Sequence, residues 1–130
     1  MNFNNPFVVA IDFDGTITEE TNSNIIGTIK ENAKETIKWM KDNGCFLILW
    51  TCRTGTGLDD AINFLKRKEI KFDTINKNAP FLDFPTSSKI FANAYIDNRN
   101  LNCPGIDWLK IKEMIQQKLV EKAIESLLQK

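Results

Sequence analysis

The stretch VVAIDFDGTIT, residues 8–18, runs from an apolar segment into two aspartates that are separated by one phenylalanine. The apolar run over 7–13 predicts a buried strand, because strands of a parallel sheet are covered on both faces. Side chains two residues apart on a strand point to the same side, so Asp12 and Asp14 should emerge together at its carboxyl end. A DG pair between apolar residues is also typical of a hairpin turn. This stretch alone leaves both interpretations open.

The composition is that of an ordinary globular domain without bulk charge. The 130 residues fit one domain, and 42% of them are hydrophobic. Lysine plus arginine and aspartate plus glutamate number 17 each, so no net charge attracts nucleic acid or an anionic membrane. The chain has no histidine, which excludes Ser-His-Asp triads, histidine-paired cysteine nucleophiles and histidine zinc sites. Its chemistry must use carboxylates, hydroxyls, lysine or arginine, together with a hard metal ion.

Cysteine usage and the absence of targeting signals indicate a cytoplasmic protein. The odd set of Cys45, Cys52 and Cys103 shows no paired C-x-x-C spacing, which predicts free thiols in a reducing compartment. We expect no signal peptide and no membrane span, because no basic segment precedes an apolar stretch and no apolar run approaches ~20 residues.

Strands and helices alternate along the chain. This alternation predicts an α/β fold with a Rossmann-like, doubly wound, mainly parallel sheet and helices on both faces. It also predicts a single domain over 1–130 without a cap, in which 106–130 form the last helix. The predicted elements are a strand at 7–13, a helix at 28–43 closed by Gly44, a strand at 45–50, a helix at 57–70, a strand at 72–75, a loop at 76–88, a strand at 93–97 and a final helix that starts near Ile106 or Asp107.

Polar side chains follow three of the predicted strands directly. Asp12 and Asp14 follow the first strand, Thr51 the second and Asp97 the last. The carboxyl ends of parallel strands meet at one edge of the sheet, where ligands of open α/β sheets bind. Two close carboxylates repel unless a cation lies between them, and oxygen ligands suit Mg²⁺. The sequence therefore predicts a magnesium-dependent site at this edge.

The motifs DFDGTIT, LWTCR and YIDNR, with Lys89 before the last of them, resemble the haloacid dehalogenase superfamily of phosphotransferases. The resemblance spans residues 7 to about 108 in the family's order, and it is greatest to small capless members. It implies a phosphatase in which Asp12 is the nucleophile and forms an aspartyl-phosphate. Asp14 would be the general acid for the leaving group and then the base for water. Thr51 and Lys89 would hold the phosphoryl oxygens.

The resemblance also implies the metal ligands. Mg²⁺ would be held by the Asp12 carboxylate, the Asp14 backbone carbonyl and Asp97. Family members often carry a second acid after the metal aspartate, whereas this chain has Asn98. An amide binds a metal or its water without charge, so we expect weaker Mg²⁺ binding than an aspartate would give.

Residues beside these motifs are the candidates for substrate binding, namely Gly15, Thr16, Cys52 and Arg53. Backbone N–H groups near Gly15 suit an anion. Arg53 suits a substrate phosphate or carboxylate, and equally a structural acid such as Asp97. Lys89 lies eight residues before Asp97, closer than in many family members, and Lys77 is the less favoured substitute.

The gaps between the motifs leave no room for a cap domain. An open site suits a bulky phosphoester, nucleic acid ends included, or a small phosphate covered by a second subunit, and the final helix offers apolar residues for self-association. A signalling receiver domain is an alternative, but its acceptor aspartate ends a strand in mid-chain. A non-catalytic protein that binds phosphate or Mg²⁺ on the same fold is a further alternative.

Overall fold

The computed structural model describes residues 4–102 and 105–129, and within them the chain forms a parallel sheet covered by helices. Four strands lie in the order β3-β2-β1-β4. All three strand pairs are parallel. The elements are β1 (Val8–Ile11), α1 (Ala33–Asp42), β2 (Phe46–Leu49), α2 (Gly55–Arg67), β3 (Thr74–Ile75), β4 (Ala94–Ile96) and α3 (Trp108–Leu128).

Strand β1 lies at the centre of the sheet and sets the register of its neighbours. Val9 is paired with Leu47 on one side and with Ala94 on the other. All four β1 residues are buried, as the apolar run predicts. The prediction of an α/β, Rossmann-like parallel sheet is confirmed.

The two faces of the sheet are covered differently. The buried apolar side chains of all three helices belong to one cluster with Val9 and Ile11, so the helices pack on one face. The other face is covered by the segment 76–93, which contains no helix, in place of the helices predicted on both faces. The cluster on this second face consists of Val8, Ala10, Ile48, Ala79, Ile90 and Ala92.

Helix α1 begins five residues later than predicted because the preceding chain is held as a loop. The N–H of Glu19 donates to the carbonyl of Thr28, and the N–H of Lys30 donates to that of Ile17, at 2.8 Å each. Asn32, with φ 65°, then turns the chain into the helix. The left-handed Gly44 (φ 84°) follows the helix end, as predicted.

The other helices differ from prediction at their ends. Helix α2 ends at Arg67 rather than 70, because Glu69 adopts a left-handed conformation (φ 59°). Helix α3 begins at Trp108, where the Asp107 side chain accepts from the N–H groups of Leu109 and Lys110. No helix in the described part of the chain is both long and apolar enough to cross a membrane.

Candidate active site

The loop after β1 is a tight turn that brings a hydroxyl to the first aspartate. The N–H groups of Thr16, Ile17 and Thr18 all donate to the Phe13 carbonyl, at 3.2, 2.9 and 3.3 Å. Gly15 permits this turn with φ 80°. The Thr16 hydroxyl then donates to Asp12 Oδ2 at 3.0 Å. The turn therefore fixes the Asp12 carboxylate at the end of the strand.

Asp12 is partly buried among other acids. The pKa of Asp12 is raised from 3.8 to about 6, and burial is the largest cause. Hydrogen bonds from Thr16 and from the Phe13 backbone lower this pKa, whereas the negative charges of Asp97 and Asp14 raise it. The sheet edge therefore carries negative charge that the protein does not fully offset. A cation or a proton at Asp12 would relieve it.

The strand β4 brings a second acid and an amide to the same turn. The Asp12 N–H donates to the Ile96 carbonyl at 2.9 Å, which places Asp97 beside it. The Asn98 N–H donates to the Thr16 hydroxyl at 2.9 Å. The Asn98 side chain packs so closely on Gly15 that a Cβ there would lie 2.4 Å from its Nδ2. Asn98 thus acts as a packing partner of the turn, and its predicted role as a metal ligand stays a prediction.

Asp14 faces an arginine. Arg53 Nε donates to Asp14 Oδ2 at 2.7 Å, and a terminal Arg53 nitrogen donates to Oδ1 at 2.8 Å. The structure therefore pairs Arg53 with Asp14 and not with Asp97, the structural acid named from the sequence. The pKa of Arg53 is raised by this hydrogen-bonded carboxylate.

Thr51 is held by an asparagine that the sequence analysis missed. The Thr51 N–H donates to Asn76 Oδ1 at 2.9 Å, and Asn76 Nδ2 donates to the Thr51 carbonyl at 3.0 Å. Asn76 has the left-handed backbone (φ 53°) that Asn tolerates at a strand end. The Thr51 hydroxyl accepts from the Arg53 N–H at 3.2 Å. An asparagine directly after the strand at 72–75 is the one signal the sequence offered.

Trp108 joins the turn to the helical face of the core. Its indole Nε1–H donates to the Thr16 carbonyl at 3.0 Å, and the Thr36 hydroxyl donates to the Trp108 carbonyl at 3.3 Å. Trp108 is only 1% exposed, so the start of α3 packs into the core. Its hydrogen bond to the turn has no local signal in the sequence.

The predicted lysine and cysteine residues form no described ion pair or hydrogen bond with Asp12, Asp14 or Asp97. The Lys89 ammonium lies over the Tyr95 ring, 5.4 Å from its centre. In the described part of the chain, neither Lys89 nor Lys77 forms an ion pair. Cys52 is exposed, and Cys103 lies outside the described residues. The phosphate-binding role of Lys89 stays a prediction.

Asp12 and Asp97 supply two of the oxygen ligands that the predicted Mg²⁺ site needs. No group of three or more Cys, Asp or Glu side chains that could hold a metal occurs in 4–102 and 105–129. The predicted set needs only two carboxylates, Asp12 and Asp97, because Asp14 would contribute its backbone carbonyl. Asp97 raises the pKa of Asp12 by its charge, so the two carboxylates are close enough to interact. Oxygen ligands of this kind are those that Mg²⁺ prefers.

Comparison with known proteins yields a structural relative. No protein-family model and no curated protein matches the chain. A solved structure described as that of a conserved protein coded by a locus of Bacteroides thetaiotaomicron matches with 39% sequence identity and a TM-score of 0.77. The match covers 88% of this chain and 93% of that chain. The likeness therefore extends over nearly the whole fold.

Proposed function

The chain belongs to the same family as this conserved Bacteroides thetaiotaomicron protein, and we propose that it is a Mg²⁺-dependent phosphohydrolase that works through an aspartyl-phosphate. The single observation that carries the proposal is the position of Asp12. Asp12 directly follows the strand β1, and its carboxylate interacts with the negative charges of Asp97 and Asp14. The motifs that resemble the haloacid dehalogenase superfamily support the same reaction.

The reaction follows from a nucleophilic carboxylate. An Asp12 oxygen attacks phosphorus, the bond from phosphorus to the leaving oxygen breaks, and the leaving group departs with the electron pair. Water then attacks phosphorus in the aspartyl-phosphate, which breaks the bond to Asp12 and releases inorganic phosphate. In the proposed reaction, Asp14 accepts the proton of that water.

Neighbouring groups would stabilise the phosphoryl oxygens. The Thr51 hydroxyl and the Lys89 ammonium are the proposed donors, and N–H groups of the turn at Gly15 add further donors. Asp12, Asp97 and the Asp14 carbonyl would hold Mg²⁺, which would supply positive charge against the incoming phosphate. Thr16 keeps Asp12 oriented through its hydroxyl.

Hydrolysis of para-nitrophenyl phosphate, with and without Mg²⁺, tests the proposal. We expect metal-dependent release that Asp12→Asn abolishes, while the exposed loop variant Asp83→Asn keeps full activity. Binding of Mg²⁺ without turnover of nucleotide, sugar or peptide phosphates would instead favour a non-catalytic protein. A phosphorylated Asp12 that persists for minutes would favour a receiver domain.

The lysine assignment needs its own comparison. Lys89 and Lys77 are both exposed and lie at the two ends of the segment that covers the second face of the sheet. We expect Lys89→Ala to lower kcat/KM by about 10²-fold or more, as loss of a charge-stabilising donor does. Lys77→Ala is the matched control, and an equal or larger loss from it would reassign the role.

The proposed setting is the cytoplasm, and the proposed partner is a phosphorylated substrate. No membrane is involved in the proposal, and nucleic acid enters it only as a substrate. A second copy is proposed to pack on α3, where Val120, Ile124 and Leu127 are about half or more exposed on one side of the helix. Light scattering of the wild type and of Ile124→Glu tests this, since a dimer should revert to a monomer.

A further inference from the structure

A cleft of about 650 Å³ opens between the loop at 23–26 and helix α2. This volume lies within the range of small-molecule pockets, roughly 300–1,000 Å³. Its two walls carry mostly polar side chains, and they include Ser23, Asn24, Ile25, Asp60, Asn63 and Arg67. The three residues from α2 are spaced by three and four positions, so they share one face of the helix. None of these six residues belongs to the site described above.

Arg53 joins this cleft to the candidate active site. One of its terminal nitrogens donates both to Asp14 Oδ1, at 2.8 Å, and to the Asn24 carbonyl, at 3.0 Å. The other terminal nitrogen donates to the Gly57 carbonyl, in the first turn of α2, at 3.1 Å. The Asp60 carboxylate is close enough to interact with the same guanidinium. Both walls of the cleft therefore begin at the side chain that contacts Asp14.

The loop wall is held by its own hydrogen bonds. The Thr21 hydroxyl donates to the Ile25 carbonyl at 2.6 Å, and the Ile25 N–H donates to the Ser23 hydroxyl at 3.2 Å. The Ile25 side chain is 72% exposed at the cleft. An apolar side chain among polar ones suits a ligand whose carbon skeleton packs on it while the ligand's oxygens bind the neighbouring groups.

The helix wall carries a positive charge at its far end. Among the residues that the structure describes, Arg67 is exposed and forms no ion pair. It lies ten residues beyond Gly57, about 15 Å along the helix axis, although helical side chains lean back towards the helix start. Asn63 lies between them and offers an amide donor and an acceptor. A guanidinium binds carboxylate and phosphate groups well.

We infer that this cleft is the subsite for the leaving alcohol. The substrate is then a phosphate monoester of an elongated, hydroxylated alcohol that carries a second anionic group at its far end. This inference rests on the proposed function. Asn63 and Ser23 bind hydroxyl groups of the alcohol, Ile25 packs on its carbon chain, and Arg67 binds the remote anion. Hydrolysis releases the alcohol, with its second anionic group intact, and inorganic phosphate.

Binding of two matched esters to Asp12→Asn in the presence of Mg²⁺ tests this by calorimetry, because that variant lacks the proposed nucleophile. The esters are 6-phosphogluconate and sorbitol 6-phosphate, which share a phosphorylated, hydroxylated six-carbon chain and differ at the far end, where only the first has a carboxylate. We expect 6-phosphogluconate to bind about 10-fold more tightly, the contribution of a charge-assisted hydrogen bond. Adding Arg67→Gln should abolish the difference, and adding Asn63→Ala should weaken both esters alike.

Lys66→Gln is the matched control. It removes the same charge from the adjacent position, but Lys66 lines a separate apolar cavity beside Phe72. The 10-fold preference should therefore survive in Lys66→Gln. Equal affinities of the two esters would overturn the inference, and so would an equal loss of preference in Lys66→Gln and Arg67→Gln.

Turnover by the wild type separates this inference from the proposed function. Hydrolysis of para-nitrophenyl phosphate that depends on Asp12, together with equal affinities of the two sugar esters, would sustain the phosphohydrolase and overturn the subsite. A preference that depends on Arg67, without hydrolysis of any ester, would keep the cleft as a binding site for the dianionic ester and overturn the phosphohydrolase.

Discussion

Replacement of Asp12 by asparagine should make the metal-free protein more stable at neutral and alkaline pH. Burial is the main cause that raises the pKa of Asp12 from 3.8 to about 6. Between these two values the folded protein binds more protons than the unfolded chain, so its stability falls as the pH rises through that window. Above about pH 6 the whole penalty of the charged carboxylate is present. Asparagine carries no charge and so lacks the penalty.

The size of the effect follows from the pKa. Each unit of pKa difference corresponds to about 1.4 kcal/mol, so a rise from 3.8 to about 6 sets an upper limit of about 3 kcal/mol. Asp12 is only partly buried, and solvent weakens the interaction, so we expect about 2 kcal/mol. For a domain of this size that corresponds to a rise of about 6 °C in Tm. The Asn side chain keeps an acceptor for the Thr16 hydroxyl, so the gain should not be lost to an unpaired donor.

Thermal and urea unfolding of the wild type and Asp12→Asn at pH 4 and pH 8, with a chelator present, measure the difference. The free energy of unfolding of Asp12→Asn should exceed that of the wild type at pH 8 and be nearly equal to it at pH 4. The control variant Asp83→Asn should show no pH-dependent difference from the wild type. Addition of Mg²⁺ should stabilise the wild type alone, by about 3 kcal/mol at a hundred times its Kd. A variant that is less stable than the wild type at both pH values would refute the electrostatic reasoning.

Further changes test the turn and the site. Gly15→Ala should lower the free energy of unfolding by about 2 kcal/mol, as urea unfolding would measure, and should remove most of the activity. Its φ of 80° is unfavourable for alanine, and the side chain of Asn98 occupies the place of a Cβ. Asn76→Ala should lower kcat more than it raises KM, since it releases the backbone of Thr51, and a rise in KM alone would contradict that role. Asn98→Asp should bind Mg²⁺ more tightly than the wild type does, as calorimetry would measure, and should be less stable than the wild type in the absence of Mg²⁺. An unchanged affinity for Mg²⁺ would exclude Asn98 from the metal site. Burial raises the pKa of Cys45 to about 11, so its thiol should react with a disulfide reagent only on unfolding, as a thiol count before and after denaturant would show.

The strands could be predicted from the sequence because their pattern is local. Continuous apolar runs over the first two strands located β1 and β2, and their parallel order followed from the helices between them. The start of α1 could not be predicted, since its apolar spacing continues back to Ile29. Hydrogen bonds across the loop, from the Glu19 N–H to the Thr28 carbonyl and from the Lys30 N–H to the Ile17 carbonyl, hold that segment out of the helix.

The residues at this edge of the sheet could be predicted from the sequence, but the hydrogen bonds among them could not. Position after a strand is visible in the sequence, and it identified Asp12, Asp14 and Asp97. The partner of Arg53 was not visible, because several acids lie at the same edge and a sequence does not say which of them a side chain reaches. Asn76 was missed for a related reason, because its amide acts on a neighbouring strand and has no local pattern.

The network explains why an acid can be kept at the end of the central strand. Asp12 lies on a turn whose hydrogen bonds converge on Thr16, and Thr16 is anchored in the core by Trp108. Such a turn cannot relax to move the carboxylate into solvent without breaking contacts of the helical face. The free-energy cost of the charge therefore remains in the folded protein, where a bound cation would offset it. Arg53 adds the complementary feature, since it neutralises Asp14 and leaves the negative charge concentrated on Asp12 and Asp97.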